Sequence, residues 1–144
     1  MKKFLKLDLS VDSFLMDGQP ILNVSVSLGN AKDWLLCLHL LQDNLIEACV
    51  FSNDSAASKL EIRLGASCEW KVGSQSSHFI VSFTAFALDY LRSFFARYYR
   101  DGVAEVDHVD IEVDDPQMGY ITVSVDEHLP PVSSDEVRRR LGIG

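Results

Sequence analysis

The chain has 144 residues, 47% apolar and 24% charged, with a formal net charge of −8. That is the size and composition of one globular domain spanning 1–144, able to bury about two thirds of its unfolded surface without disulfide or metal staples. The acidity weighs against nucleic acid as a direct ligand, because phosphate binding needs clustered Lys and Arg. Cys37, Cys49 and Cys68 are odd in number and lack a CxxC pair, which points to a reducing cytoplasm rather than a secreted disulfide framework. Lys6, Asp8 and Asp12 interrupt the apolar start, and the run from Trp34 to Leu41 is too short for a bilayer, so neither a signal peptide nor a membrane span is expected.

Period-two alternation marks the first part of the chain. Phe4 to Val11 and Ile21 to Leu28 alternate, joined by Met16-Asp17-Gly18-Gln19-Pro20, whose Asp-Gly is turn chemistry, so a first hairpin is expected. Asn30 to Phe51 supports two readings. Asn30 as N-cap, Asp33 and the leucine content favour a helix. The alternation of Trp34, Leu36, Leu38 and Leu40 against Leu35, Cys37, His39 and Leu41, with a turn at Gln42-Asp43-Asn44, favours two strands, and these are the expectation. Lys59 to Leu64, Cys68 to Val72 and His78 to Phe83 read as short strands of an antiparallel meander, separated by Gly65-Ala66 and the Gly73 to Ser77 run.

Thr84 to Arg100 has helical periodicity. Ala87, Leu88, Leu91, Phe94, Phe95 and Tyr98 share one arc, and Asp89, Arg92, Ser93, Arg97 and Arg100 the other. Thr84 suits the N-cap and Gly102 a left-handed stop. The aromatic pairs in this segment therefore belong to a core-facing stripe rather than a base-stacking platform. Val106 to Val113 and Tyr120 to Val125 form a C-terminal hairpin through Asp115-Pro116-Gln117-Met118-Gly119, Pro130-Pro131 ends the sheet, and Ser134-Asp135-Glu136 opens a short terminal helix. The fold class expected is α+β: a largely antiparallel β-sheet packed by one long amphipathic helix (about 84–100), with a C-terminal β-hairpin and a short terminal helix.

Charge is segregated along this order. Residues Asp101 to Val137 carry eleven carboxylates and no Lys or Arg, the first hundred residues carry ten acids and ten bases, and Arg138 to Arg140 follow. In Val109 to Asp114 the apolar residues are odd, so Asp110, Glu112 and Asp114 share the opposite face. Carboxylates two apart lie about 7 Å from each other and repel by about 0.6 kcal/mol in water, or about 2.4 kcal/mol at an effective dielectric near 20. That face must be solvated, neutralised by Arg92, Arg97, Arg100 or the terminal arginines, or covered by a basic partner.

Competing chemistries are thinner. Asp107, His108, Asp110 and Glu112 are hard metal ligands, but no Asp-x-Asp-x-Asp-Gly loop wraps them. Cys37 and His39, with Cys49 across a hairpin, would make a zinc site only if all three met, and buried Cys is a common core residue. Ser77-His78, His39 with Asp43, and Asp126 with His128 lack a third catalytic member at a recognisable spacing. There is no GxSxG, HExxH or glycine-rich phosphate loop. No catalytic residue, cofactor or metal is assigned, and the chain is not expected to be an enzyme.

In size, acidity and organisation the whole chain resembles the immunity proteins of bacterial polymorphic and contact-dependent toxin systems. The resemblance implies a cytoplasmic protein that neutralises a cognate toxin domain, often a nuclease, by occluding its active site or an adjoining surface. Asp107, Asp110, Glu112 and Asp114 would then face a basic cleft. The expected function is a protein-binding inhibitor engaging a basic toxin domain through Asp107, Asp110, Glu112, Asp114, Asp115, Met118 and Tyr120, with Met118 and Tyr120 as anchors at the hairpin tip. No direct nucleic acid or membrane contact is expected, and a homodimer is left open. The alternatives are a scaffold subunit associating through a sheet edge such as Phe4 to Val11 and a small metal-dependent enzyme.

Overall fold

The structure is a computed structural model and describes residues 1–6, 9–53, 56–73, 77–101, 108–114 and 119–125. Among them the chain forms β1 (Lys2–Lys6), β2 (Leu9–Met16), β3 (Gln19–Val26), a single 3-10 turn (Leu28–Asn30), α1 (Ala31–Gln42), β4 (Ala48–Asn53), β5 (Ala56–Leu64), β6 (Glu69–Val72), β7 (His78–Phe83), α2 (Ala85–Asp101), β8 (His108–Glu112) and β9 (Tyr120–Val125). The class is α+β, with a five-stranded sheet ordered β1-β4-β5-β7-β6 and a four-stranded sheet ordered β2-β3-β9-β8. No helix among the described residues is long and apolar enough to cross a membrane.

Three expectations about the sheets are corrected. The sheets are mixed rather than largely antiparallel: β1–β4, β3–β9 and β5–β7 run parallel, and β2–β3, β4–β5, β6–β7 and β8–β9 antiparallel. The Asp17-Gly18 turn forms, with φ of 52° and 80° at its two central residues. Both values are positive, as a type I′ hairpin turn requires. Its strands, however, are β2 and β3, whereas Lys2–Lys6 pairs with β4 in the other sheet. Leu5, Leu9 and Val11 are all odd-numbered and turn inward, so alternation runs across the change of sheet without marking it. The expected meander is also rearranged, because β7 sits between β5 and β6 and runs parallel to β5.

Asn30 to Phe51 is a helix followed by one strand, not two strands. Ala31, Trp34, Cys37, Leu38 and Leu41 are buried on α1, the spacing of one helical face. Leucine at both parities had made a strand pattern equally visible. The turn signal at Gln42-Asp43-Asn44 is instead a helix stop: Asn44 has φ 56°, its N–H donates to Leu41 O at 3.1 Å, and the Leu45 N–H donates to Leu40 O at 2.9 Å. Those two bonds define a Schellman motif.

The helix expected over 84–100 is α2, and its buried residues are Ala87, Leu88, Leu91, Phe94, Phe95 and Tyr98. Thr84 Oγ1 accepts from the Ala87 N–H at 3.2 Å and caps it. α1 packs along α2 and touches β4 and β5, with the Trp34 ring between Phe51 (centroids 4.6 Å) and Phe95 (5.1 Å, nearly parallel). One apolar cluster joins both helices to the inner faces of both sheets. Gly102, Pro130-Pro131 and the terminal helix expected from Ser134 lie outside the described residues.

Candidate functional site

The C-terminal hairpin forms as β8 and β9, with Val109 opposite Val123 and Ile111 opposite Ile121, all four buried. His108, Asp110 and Glu112 are correspondingly exposed on the outer face, and Tyr120 stands opposite Glu112. Asp110 accepts from Thr122 Oγ1 at 2.8 Å and lies 3.8 Å from His108 Nε2. Among the described residues no Lys or Arg pairs with Asp110 or Glu112. The helix arginines turn elsewhere: Arg92 donates to Gln42 Oε1, and Arg100 makes two bonds to Asp101.

Parallel pairing of β3 with β9 extends this face across the whole sheet. The rungs run Ser10, Ser25, Ser124, His108, and next Asp12, Asn23, Thr122, Asp110. Asn23 Nδ2 donates to Asp12 Oδ1 at 3.2 Å, and Ser124 Oγ donates to Asn23 Oδ1 at 3.2 Å. One rung further, Phe14 pairs with buried Ile21, while Tyr120 pairs with Glu112. Phe14 and Tyr120 are 40% and 42% exposed, enough to pack against a partner while still seated on the sheet. The surface thus combines three carboxylates with two half-exposed rings, the mixture of charged rim and aromatic anchor found at protein interfaces.

Gly119 lets this arrangement close. Its N–H donates to Pro20 O at 2.9 Å, and a Cβ there would lie 2.7 Å from that oxygen. Only a residue without a side chain brings the start of β9 so close to β3.

Of the expected site residues, Asp110, Glu112 and Tyr120 are brought together, and Asp107, Asp115 and Met118 lie outside the described residues. Asp114 is exposed but structurally engaged: its carboxylate accepts from the Cys68 N–H at 2.9 Å and its own N–H donates to Cys68 O at 3.0 Å. Asp12 and Phe14 belong to the face although they were not expected there. Their even-numbered parity in β2 was readable, but their position beside the acidic hairpin depends on the β3–β9 pairing.

The metal candidates do not assemble among the described residues, where no group of three or more His, Cys, Asp or Glu could hold an ion. The supposed Cys37, His39 and Cys49 set is divided because α1 is a helix: Cys37 is buried, whereas His39 is exposed and lies 3.2 Å from Asp43. Cys37 instead contacts Cys49 in the core; their hydrogen bond, together with burial, pushes the Cys37 thiol up, so it stays protonated.

The face of the five-stranded sheet turned away from Trp34 carries the opposite charge. Register puts Lys2, Lys6, Lys59, Arg63 and Lys71 on it, with Glu61 and Glu69. Glu61 is 3% exposed and is held by Lys2 Nζ at 3.3 Å and by Arg63 Nε at 2.6 Å. Among the described residues the two sheets thus present outer faces of opposite net charge.

No protein-family model matches the chain, and no curated protein matches it. Among solved structures it is similar to the crystal structure of Drosophila Suppressor of Fused, at 12% identity and a TM-score of 0.46, over 80% of this chain and 26% of that one. The chain therefore spans about a quarter of that protein, and a likeness at this level carries no argument about function.

Proposed function

We propose that the chain is a protein-binding inhibitor of the toxin-neutralising immunity class, which engages a basic partner domain through the outer face of the four-stranded sheet. The observation that carries this reading is the open grouping of Asp110, Glu112 and Tyr120 on paired strands, with no Lys or Arg among the described residues paired to the two carboxylates and only the His108 imidazole, 3.8 Å from Asp110, beside them. Two like charges on one face repel, and a cationic surface relieves that repulsion while excluding water from Tyr120. The basic face of the other sheet turns a cationic partner toward the acidic one during approach.

No step of this reading requires chemistry by the chain itself. Asp12, Asp110 and Glu112 supply steering and selectivity, and Tyr120 supplies the buried contact that slows dissociation. The test is co-purification with the C-terminal domain encoded by the adjacent upstream gene, at low and high salt. A complex whose association slows as salt rises is expected. Absence of binding at either salt concentration would remove the inhibitor reading.

A further inference from the structure

Sheet edges attract other strands unless something blocks them, and among the described residues three of the four sheet edges are blocked. β1 carries Lys2, Lys3 and Lys6 in five residues; β6 is only four residues long and carries Glu69 and Lys71; β8 has His108, Asp110 and Glu112 in five. β2 differs. It runs eight residues, Leu-Ser-Val-Asp-Ser-Phe-Leu-Met, with one charge, no Pro or Lys, and unbroken register against β3. Its outer half is solvated and apolar: Phe14 is 40% exposed, Leu15 74% and Met16 50%.

The turn fixes which backbone groups point outward. In a two-residue hairpin the residues flanking the turn, Met16 and Gln19, exchange hydrogen bonds, and so do Phe14 and Ile21. Pro20, opposite Leu15, turns its carbonyl away from β2 to accept from Gly119. Leu15 and Ser13 therefore direct their N–H and C=O groups away from β3, to the side of β2 that no strand among the described residues occupies.

We propose that this edge pairs with the same edge of a second copy, antiparallel and with Phe14 on the twofold axis. Ser13 then bonds Leu15 of the partner, and Leu15 bonds Ser13 of the partner, giving four backbone hydrogen bonds. The two Phe14 rings meet at the close, non-hydrogen-bonded position, where aromatic pairs contribute most. Asp12 lies opposite the second copy's Met16, so the two Asp12 carboxylates are about 13 Å apart along the strands, beyond a Debye length at physiological salt. Only the exposed half of β2 is used. The twofold is perpendicular to the sheet, so both acidic faces lie on the same side of one eight-stranded sheet, with Asp110 three strands from the junction. This goes beyond the inhibitor reading and holds whether or not a basic partner exists.

The experiment is light scattering across protein concentration for the wild type and for Leu15→Lys, with circular dichroism to confirm that both fold alike. The wild type is expected at twice the 16.1 kDa chain mass, and Leu15→Lys, which gives β2 the guard that β1 has, at the single mass. In Phe14→Cys, mild oxidation is expected to link two chains, since opposed Cα atoms at a non-hydrogen-bonded pair lie within disulfide reach and the three native cysteines are buried. A wild type of single mass at every concentration, or a dimer indifferent to Leu15→Lys, overturns the proposal. A dimer in which Phe14→Cys fails to link overturns the register.

Discussion

Asp114 and Cys68 exchange two hydrogen bonds: Asp114 N–H to Cys68 O at 3.0 Å, and Cys68 N–H to the Asp114 carboxylate at 2.9 Å. The pair fastens the end of β8 to the start of β6, and so one sheet to the other. Cys68 Sγ also lies 3.7 Å from Thr84 Oγ1, the cap of α2. Asp114→Ala is therefore expected to cost about 1–3 kcal/mol, since a part-buried N–H loses a charged acceptor. Urea denaturation measures it. A variant with unchanged stability but slower partner association would return Asp114 to the binding face.

Asp110 and Glu112 should behave in the opposite way. Their double replacement by Ala removes repulsion and no hydrogen bond beyond the exposed one from Thr122, so stability should hold or rise slightly. Association with a basic partner is expected to slow roughly tenfold at low salt and to lose most of its salt dependence. Stopped-flow association at two ionic strengths reads both quantities. Tyr120→Ala should raise the dissociation rate instead.

Glu61 sets an acid limit. Burial opposes its ionisation and is the largest single influence, but the hydrogen bonds and charges of Lys2 and Arg63 together outweigh it and hold its carboxyl below the ordinary 4.5. The folded state thus takes up this proton less readily than the unfolded one. The resulting stability is complete above pH 4.5 and is lost as pH falls through the lower folded value. Thermal melts from neutral to acidic pH should show the wild type losing its advantage over Glu61→Gln below that point. At neutral pH the variant is expected to be about 1 kcal/mol less stable, a small figure because Lys2 and Arg63 are each nearly half exposed.

Gly119→Ala tests the parallel pairing that assembles the face. The added methyl would meet Pro20 O at 2.7 Å and Ile21 Cγ1 at 3.1 Å, so β9 must move away from β3. A loss of about 1–3 kcal/mol is expected, together with weaker partner binding through displaced Tyr120. A variant of wild-type stability would show that β9 tolerates the shift.

Much of this molecule was visible in local pattern. The apolar arc of α2, the Asp17-Gly18 turn and the strand from Tyr120 to Val125 follow from side-chain spacing and turn chemistry, which neighbouring residues decide among themselves. Asp110 and Glu112 were placed on a solvent face by the same alternation, since Val109 and Ile111 had to turn inward. The α1 segment was not decided locally. Leucines at both parities satisfied helix and strand alike until Trp34 was stacked between Phe51 and Phe95.

What the sequence determined by itself was periodicity and charge: which residues alternate, where α2 lies, and that the excess acid is concentrated between Asp101 and Val137. Strand neighbours were left to the tertiary structure, because period-two alternation carries the same message in either sheet and in either direction. The transfer of Lys2–Lys6 to β4, the parallel insertion of β9 beside β3 and the meeting of Asp12, Phe14, Asp110 and Tyr120 on one face depend on contacts between distant parts of the chain. Those contacts are selected by the burial of a shared core, which no single segment encodes.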